Sequence, residues 1–362
     1  MAKFHELTVG ALDHDTSESV VVSFDVPDSL KDSFAFTPGQ YLTLRAELSG
    51  EDTRRSYSIC SGPGEPLRVG IKRVAGGRFS TFAKEQLAVG DTLQVMAPTG
   101  RFIRAETSKP SHHVAFAAGS GITPILSILT HVLEERPEDR CTLFYGNRAL
   151  GGVMFLDALH RLKDRHMRRL RIFHCLSREA SDVPLLQGRL DAERVEALAK
   201  AGLVEAADVD VAYLCGPGSM IDEVSQGLAS LGVPDERVRF ERFDTGARHG
   251  PAEDHGPGTK TPAAPSVGGG EVEVEVVLDG HRRRFTMAAG QSVIEAGAEA
   301  GVELPWSCGG GMCSTCRCRL VAGEAEMKLN YSLEPWELER GYVLACQSMP
   351  KSERLVLDFD EQ

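Results

Sequence analysis

The chain has no long hydrophobic run. Its most apolar stretch, residues 114–129, is broken by Gly119, Ser120, Gly121 and Pro124 and is too short to span a bilayer. The opening MAKFHELT has no apolar core of the kind a secretory signal carries, so a soluble, cytoplasmic protein is expected. Basic residues are also scarce. Lys and Arg number 40 against 52 Asp and Glu, a net charge of −12, which argues against nucleic acid and anionic membrane as partners. The paired C-x2-C motifs of a zinc ribbon are missing, because only one such pair occurs. The G-x-G-x-x-G of Rossmann dehydrogenases is missing too. No nucleophile–base triad stands out.

What is present is unevenly placed. The 362 residues suit two or three domains, and 42% apolar content suffices for sizeable cores. Residues 271–362 hold 16 acidic and 9 basic side chains, so one quarter of the chain carries −7 of the excess. Nine cysteines without an export signal do not suggest a disulfide framework, and four of them fall within 308–318, which points to metal.

The segment 244–270, rich in Gly, Pro, Ala and Thr, cannot bury a core and reads as a flexible linker of 27 residues. Its composition gives an end-to-end distance of roughly 26–31 Å. Before it, residues 1–107 read as an all-β Greek-key barrel, with strands expected at 18–26, 40–46, 68–74 and 92–96 and one helix at 79–86. Residues 108–243 alternate apolar strands (113–118, 141–145, 171–175, 211–215) with helices (124–135, 155–165, 191–199, 220–231). That is an α/β domain on a parallel sheet. After the linker, 271–362 opens with a hairpin at 272–278 and 283–287, then a helix at 292–300 and a Cys-rich loop. The whole is a multidomain chain.

The strongest motif is Cys308-x4-Cys313-x2-Cys316, with Cys346 after 29 intervening residues. Plant-type [2Fe–2S] proteins use this spacing. Three thiolates must converge from one tight loop, and Gly309, Gly310 and Gly311 let it curl with its N–H groups toward sulfur. Cys318 is expected to point away.

Two further motifs are weaker alone. Arg55-Ser56-Tyr57-Ser58 suits an ordinary edge strand, but it precedes Gly77-Arg78-Phe79-Ser80 at a helix start and then a βαβ domain. In that order an arginine for a pyrophosphate, an aromatic face, a hydroxyl and free helix-start amides suit a flavin. Gly119-Ser120-Gly121-Ile122-Thr123-Pro124 and Cys215-Gly216-Pro217-Gly218 each follow a strand of the parallel sheet, where ligands bind.

Taken together, the order RSYS, GRFS, GSGITP, YGNR, CGPGSM and the cysteine loop resembles the ferredoxin–NADP reductase superfamily fused to a C-terminal plant-type ferredoxin domain, the reductase components of multicomponent oxygenases. The likeness covers essentially the whole chain. Within the family, CGGGMCSTCRCRLVAGEAEM with GYVLACQSMP and the closing LVLDFD is similar to the reductases of phenylacetyl-CoA epoxidases, whose oxygenase is multisubunit and di-iron. Reductases of ketosteroid hydroxylases share much of the pattern.

The resemblance implies an FAD-binding barrel, a nucleotide-binding α/β domain and an α+β β-grasp ferredoxin domain. It implies FAD at Arg55, Ser56, Tyr57 and Ser58, with Gly77 and Ser80 at the pyrophosphate. Gly119, Gly121, Thr123, Pro124 and Gly216 would serve the nicotinamide nucleotide, and Ser58, Cys215 and Glu241 the reacting ring. Phe243 would neighbour flavin or nicotinamide. Ser177-Arg178 implies NADPH over NADH, through the adenosine 2′-phosphate, although acidic Glu179 stands next to them. The implied route runs from NADPH through FAD and a [2Fe–2S] cluster to an oxygenase. The rival is a self-contained flavin reductase with a redox-sensing cluster.

Overall fold

A computed structural model describes residues 3–180, 182–243, 271–288, 290–333 and 335–361. The linker segment expected at 244–270 lies outside the described residues. The chain divides into two compact units, the larger built on two sheets and the smaller on a third.

The first sheet of the larger unit comprises β1 (Phe4–Thr16), β2 (Ser19–Asp25), β3 (Tyr41–Leu48), β4 (Glu51–Ser58), β5 (Leu67–Lys72) and β6 (Thr92–Met96), in the order β4-β3-β6-β1-β2-β5. An antiparallel bridge between Ile59, just past β4, and Val69 on β5 joins the two ends into a barrel. Alternation drives this closure. Val20 and Val22 on β2 face inward with Leu42 and Leu44 on β3 and Val69 and Ile71 on β5, all fully buried. A single helix, α1 (Arg78–Glu85), covers one end and buries Phe79 and Ala83.

The second sheet is parallel, with β7 (His112–Ala118), β8 (Arg140–Asn147), β9 (Leu170–Leu176), β10 (Val211–Gly216) and β11 (Val238–Arg242) in the order β11-β10-β7-β8-β9. Its central strands β7, β8 and β10 are buried along most of their length because both faces are covered, whereas the edge strands β9 and β11 are partly exposed. Helices α2 (Ile122–Glu135) and α3 (Leu156–Arg165) contribute to the core on one face, and α4 (Ala192–Lys200) and α5 (Gly218–Ser230) to that on the other. The chain runs β7, β8, β9 to one side and then returns to place β10 on the other side of β7. The order therefore reverses between β7 and β10, and the crevice at their carboxyl ends is where such sheets bind ligands.

The smaller unit carries β12 (Val272–Leu278), β13 (His281–Met287), β14 (Arg317–Ala322), β16 (Tyr342–Leu344) and β18 (Arg354–Asp358) in one mixed sheet, β13-β12-β18-β14-β16. A two-stranded ribbon pairs β15 (Ala325–Met327) with β17 (Ser348–Pro350). Helix α6 (Val293–Glu299) is held at its start by a capping box, Ser292 with Glu295, and packs on the sheet in the β-grasp manner. A short helix, α7 (Pro335–Glu339), precedes β16. Among the described residues no helix is long and apolar enough to cross a membrane.

Candidate electron-transfer sites

The cysteine loop turns left-handed at Gly309, Gly311 and Ser314, with φ of 65°, 77° and 54°. At Gly311 a Cβ would also lie 2.9 Å from the Leu329 carbonyl oxygen. The sulfur of Cys308 accepts from the amides of Gly310 at 3.3 Å and Met312 at 3.5 Å, and the Cys316 sulfur accepts from the Cys346 amide at 3.5 Å. The thiols meet in two pairs, Cys308 with Cys313 and Cys316 with Cys346. In each pair one thiol is pulled down by its partner's hydrogen bond (Cys308, Cys346) and the other pushed up (Cys313, Cys316). Among the described residues no three His, Cys, Asp or Glu side chains form a site for a single metal ion. Two thiol pairs on an amide-lined loop instead fit a binuclear cluster, two sulfurs to each iron. Cys318 is fully buried and its thiol points to the Val343 carbonyl, away from the four. All nine cysteines are free thiols.

In the larger unit the sequence candidates converge at the sheet crevice. The Ser58 hydroxyl, at the end of β4, donates to Glu241 Oε2 at 3.2 Å. Glu241 sits on β11 directly beside Cys215 on β10. The Glu241 carboxyl keeps some accessible surface but is crowded by protein atoms, and desolvation pushes its pKa up to about 8 against the pull of Ser58. Cys215 is fully buried, and its thiol is held neutral by desolvation first and by Glu241 second.

The glycine loop meets the same place from β7. A Cβ on Gly121 would lie 2.1 Å from the Cys215 carbonyl oxygen, so only glycine lets the two loops touch. Gly119, at φ 55°, is open, with nothing within 4 Å of where its Cβ would be. That bare, left-handed backbone before α2 has the open form that suits a phosphate. Thr123 and Pro124 are buried. The Thr123 hydroxyl is spent on the Ser120 carbonyl at 3.0 Å, leaving backbone rather than side chain to face a ligand. Gly216 ends β10, and Phe243 packs half-buried against the core under α2 and α3.

At the barrel, Gly77 is the N-cap of α1 with no side-chain cap, so its first amides are available. The Ser80 hydroxyl is occupied within the turn, accepting from Val74 N at 3.1 Å and donating to Gly77 O at 3.2 Å. The Tyr57 ring lies 5.7 Å from that of Phe79. Arg55 is exposed, Ser56 half-buried. The residues thus fit a flavin with an uncapped helix start, an aromatic face and an exposed guanidinium, one nitrogen of which donates to Arg54 O at 2.6 Å. Ser177 and Arg178 extend β9 alongside the end of β8, their amides donating to Asn147 O and Arg148 O at 2.9 and 2.8 Å. Glu179 turns away to accept from the Leu150 amide at 2.7 Å.

Sequence reasoning missed three contributors. The Tyr145 hydroxyl donates to Gly119 O at 2.8 Å and fixes the glycine loop. Gly70 on β5 abuts Thr123 and the Phe155 ring, where a Cβ would come within 2.8 Å of each. Asp15 on β1 accepts from the Phe155 amide at 3.0 Å. Tyr145 lies within the YGNR run, but the role of each depends on contacts far apart in sequence.

Family models match three consecutive parts of the chain: an oxidoreductase FAD-binding domain at residues 11–103, an oxidoreductase NAD-binding domain at 116–226 and a 2Fe-2S iron-sulfur cluster binding domain at 276–351. A component of the 1,2-phenylacetyl-CoA epoxidase of Escherichia coli (strain K12) is 41% identical, over 99% of this chain and 99% of its own. The chain belongs to the family of oxygenase reductases that join FAD, NAD(P) and [2Fe–2S] domains. The ferredoxin reductase component of the Rhodococcus rhodochrous 3-ketosteroid-9-alpha-monooxygenase is 33% identical over 98% and 96%. Phthalate dioxygenase reductase shares the fold, with a TM-score of 0.56 at 23% identity across 98% of both chains. As a member of this reductase family the protein takes electrons from NAD(P)H through FAD to a [2Fe–2S] cluster and supplies an oxygenase component.

Proposed function

We propose that this reductase serves a multisubunit di-iron oxygenase that epoxidises the ring of phenylacetyl-CoA in the cytoplasm. The observation that carries the reading is the 41% identity across full length to the epoxidase component, against 33% for the steroid system. When bound, FAD accepts two electrons from the nicotinamide and releases them singly to the cluster.

The chain's own residues bind, orient and hold a proton. Arg55 and the first amides of α1 after Gly77 carry the flavin pyrophosphate, with Ser56 and Ser80 shaping that turn and Tyr57 against the ring. Ser58 and Glu241 hold a proton beside the reacting ring, and Cys215 and Phe243 keep water from it. Gly119, Gly121, Thr123, Pro124 and Gly216 receive the nucleotide through their backbone. Arg178, with Ser177, favours NADPH, since Glu179 is turned to Leu150 and leaves the phosphate position unopposed. Cys308, Cys313, Cys316 and Cys346 ligate the irons. The working domains are 1–107, 108–243 and 271–362, with 244–270 as linker.

The test is a reconstitution with the purified oxygenase, NADPH, oxygen and phenylacetyl-CoA. Ring-epoxide formation that depends on this chain is expected. No product there, with turnover in a ketosteroid hydroxylase system, would move the protein to that branch. Reduction of small acceptors alone would favour the self-contained flavin reductase.

A further inference from the structure

Large apolar side chains are seldom exposed in the described chain, yet four of the ten that are fall within ten residues. Leu329, Tyr331, Trp336 and Leu338 are 43%, 37%, 43% and 36% exposed. Apolar surface gathered in this way marks an interaction site more often than chance exposure does. Its location is fixed by the cluster loop. The Tyr331 amide donates to Gly311 O at 3.1 Å and the Ser332 hydroxyl to the same oxygen at 3.2 Å, between the ligands Cys308 and Cys313. The Lys328 amide donates to Gln347 O at 3.0 Å, next to Cys346. Glu337, fully buried in α7, pairs with Arg317 Nε at 2.8 Å, next to Cys316. Residues 328–333 and 336–338 are thus anchored beside the cysteine positions.

We propose that Leu329, Tyr331, Trp336 and Leu338 form the docking surface for the electron-accepting oxygenase component. The inference rests on the reading of the protein as an oxygenase reductase. Two features select this occupant. Cys308 and Cys313 are partly exposed while Cys316 and Cys346 are buried, so an external acceptor comes nearest to the cluster at the loop of residues 308–313, to which Tyr331 is tied at Gly311. The patch also contrasts with the domain around it. In a domain of net −7, the exposed charges among its described residues are Lys328, Glu339 and Arg340, the last lying over the Trp336 ring at 5.2 Å. A partner is drawn in by long-range charge and then gripped by apolar contact, with Trp and Tyr as anchors.

The experiment uses the full-length holoprotein with Trp336→Ala and, separately, Leu329→Ser, each first checked for its cluster absorption. Wild-type and variant chains are compared with the phenylacetyl-CoA and the ketosteroid oxygenases. The concentration of reductase giving half-maximal coupled turnover is expected to rise about tenfold in either variant. The rate at which NADPH reduces the cluster within the chain should stay within about twofold of wild type, because that step does not use the patch. Unchanged coupling in both variants would overturn the assignment while leaving the oxygenase reading intact. Slowed internal cluster reduction would show that the patch receives the protein's own flavin-bearing unit. A change of mass in sedimentation would show a self-association surface. A wild-type chain that drives neither oxygenase would remove the parent reading and this one together.

Discussion

At the scale of single residues, the two cysteines at 316 and 318 show how position decides chemistry. They differ by two residues in sequence, yet one faces Cys346 and the other the Val343 carbonyl. Cys346→Ala should abolish the visible absorption and paramagnetic signal of the cluster while FAD stays bound, and Cys318→Ala should keep both. Full signal in the Cys346 variant would refute the ligand set. Glu241 makes a pH prediction. Its folded pKa, about 8, lies above the ordinary glutamate value, so the folded chain binds an extra proton between the two. Folding stability is therefore highest below about pH 4.5 for this group and falls as pH rises toward about 8. Glu241→Gln should remove that slope, read as urea midpoints of the apoprotein that diverge from wild type across this window and run parallel above it. For Arg178→Ala, a charge-assisted bond to a phosphate contributes roughly 1.5–3 kcal/mol, so about one to two decades of NADPH preference should go. Steady-state kinetics with both nucleotides decide it, since unchanged selectivity removes the role.

At the scale of elements, Gly70 on β5 is the test of how the barrel meets the nucleotide sheet. Gly70→Ala would press a methyl against Thr123 and Phe155, at a cost of about 1–3 kcal/mol. Because Thr123 belongs to the glycine loop, flavin reduction by NADPH should slow as well. Loss of stability with an unaltered reduction rate would show the seam to be structural only. The strands and helices read from periodicity return within a few residues: β5 is Leu67–Lys72 where 68–74 is expected, and α5 Gly218–Ser230 where 220–231 is expected. The elements that periodicity misses have identifiable causes. The β4 run EDTRRSYS and the β11 run VRFER are too polar to alternate, and β1 is long and bulged. The site follows the same division. Motifs local in sequence, such as the cysteine loop, were legible. The Tyr145 to Gly119 contact exists only once β7 and β8 pair, and the Gly70 to Thr123 contact only once the barrel meets α2.

At the scale of the whole molecule, charge is the property to test. The last quarter of the chain carries net −7, although Arg282, Arg284 and Arg354 gather around the buried Glu275 on one face of its sheet. The net acidic charge can steer an approaching partner. Coupled turnover at limiting reductase should fall as salt rises through about 0.1 M, where screening shortens to ~10 Å. Salt-independent coupling would dispose of steering and leave apolar contact as the sole source of association.

The close approach of Gly121 to the Cys215 carbonyl bears on how such a protein can change over time. Where two backbones touch, no side chain is available to vary, and a substitution there wedges the strands apart instead of reshaping a pocket. The reacting end of the nucleotide crevice is therefore closed to gradual alteration. The exposed tips of β8 and β9, where Arg148 and Arg178 stand in open solvent, accept replacement without disturbing any packed neighbour. If Arg178 meets the adenosine phosphate as proposed, a lineage or an engineer that needs to exchange one nicotinamide nucleotide for the other would be steered to these tips, and the backbone contact at Gly121 would pass through the exchange untouched.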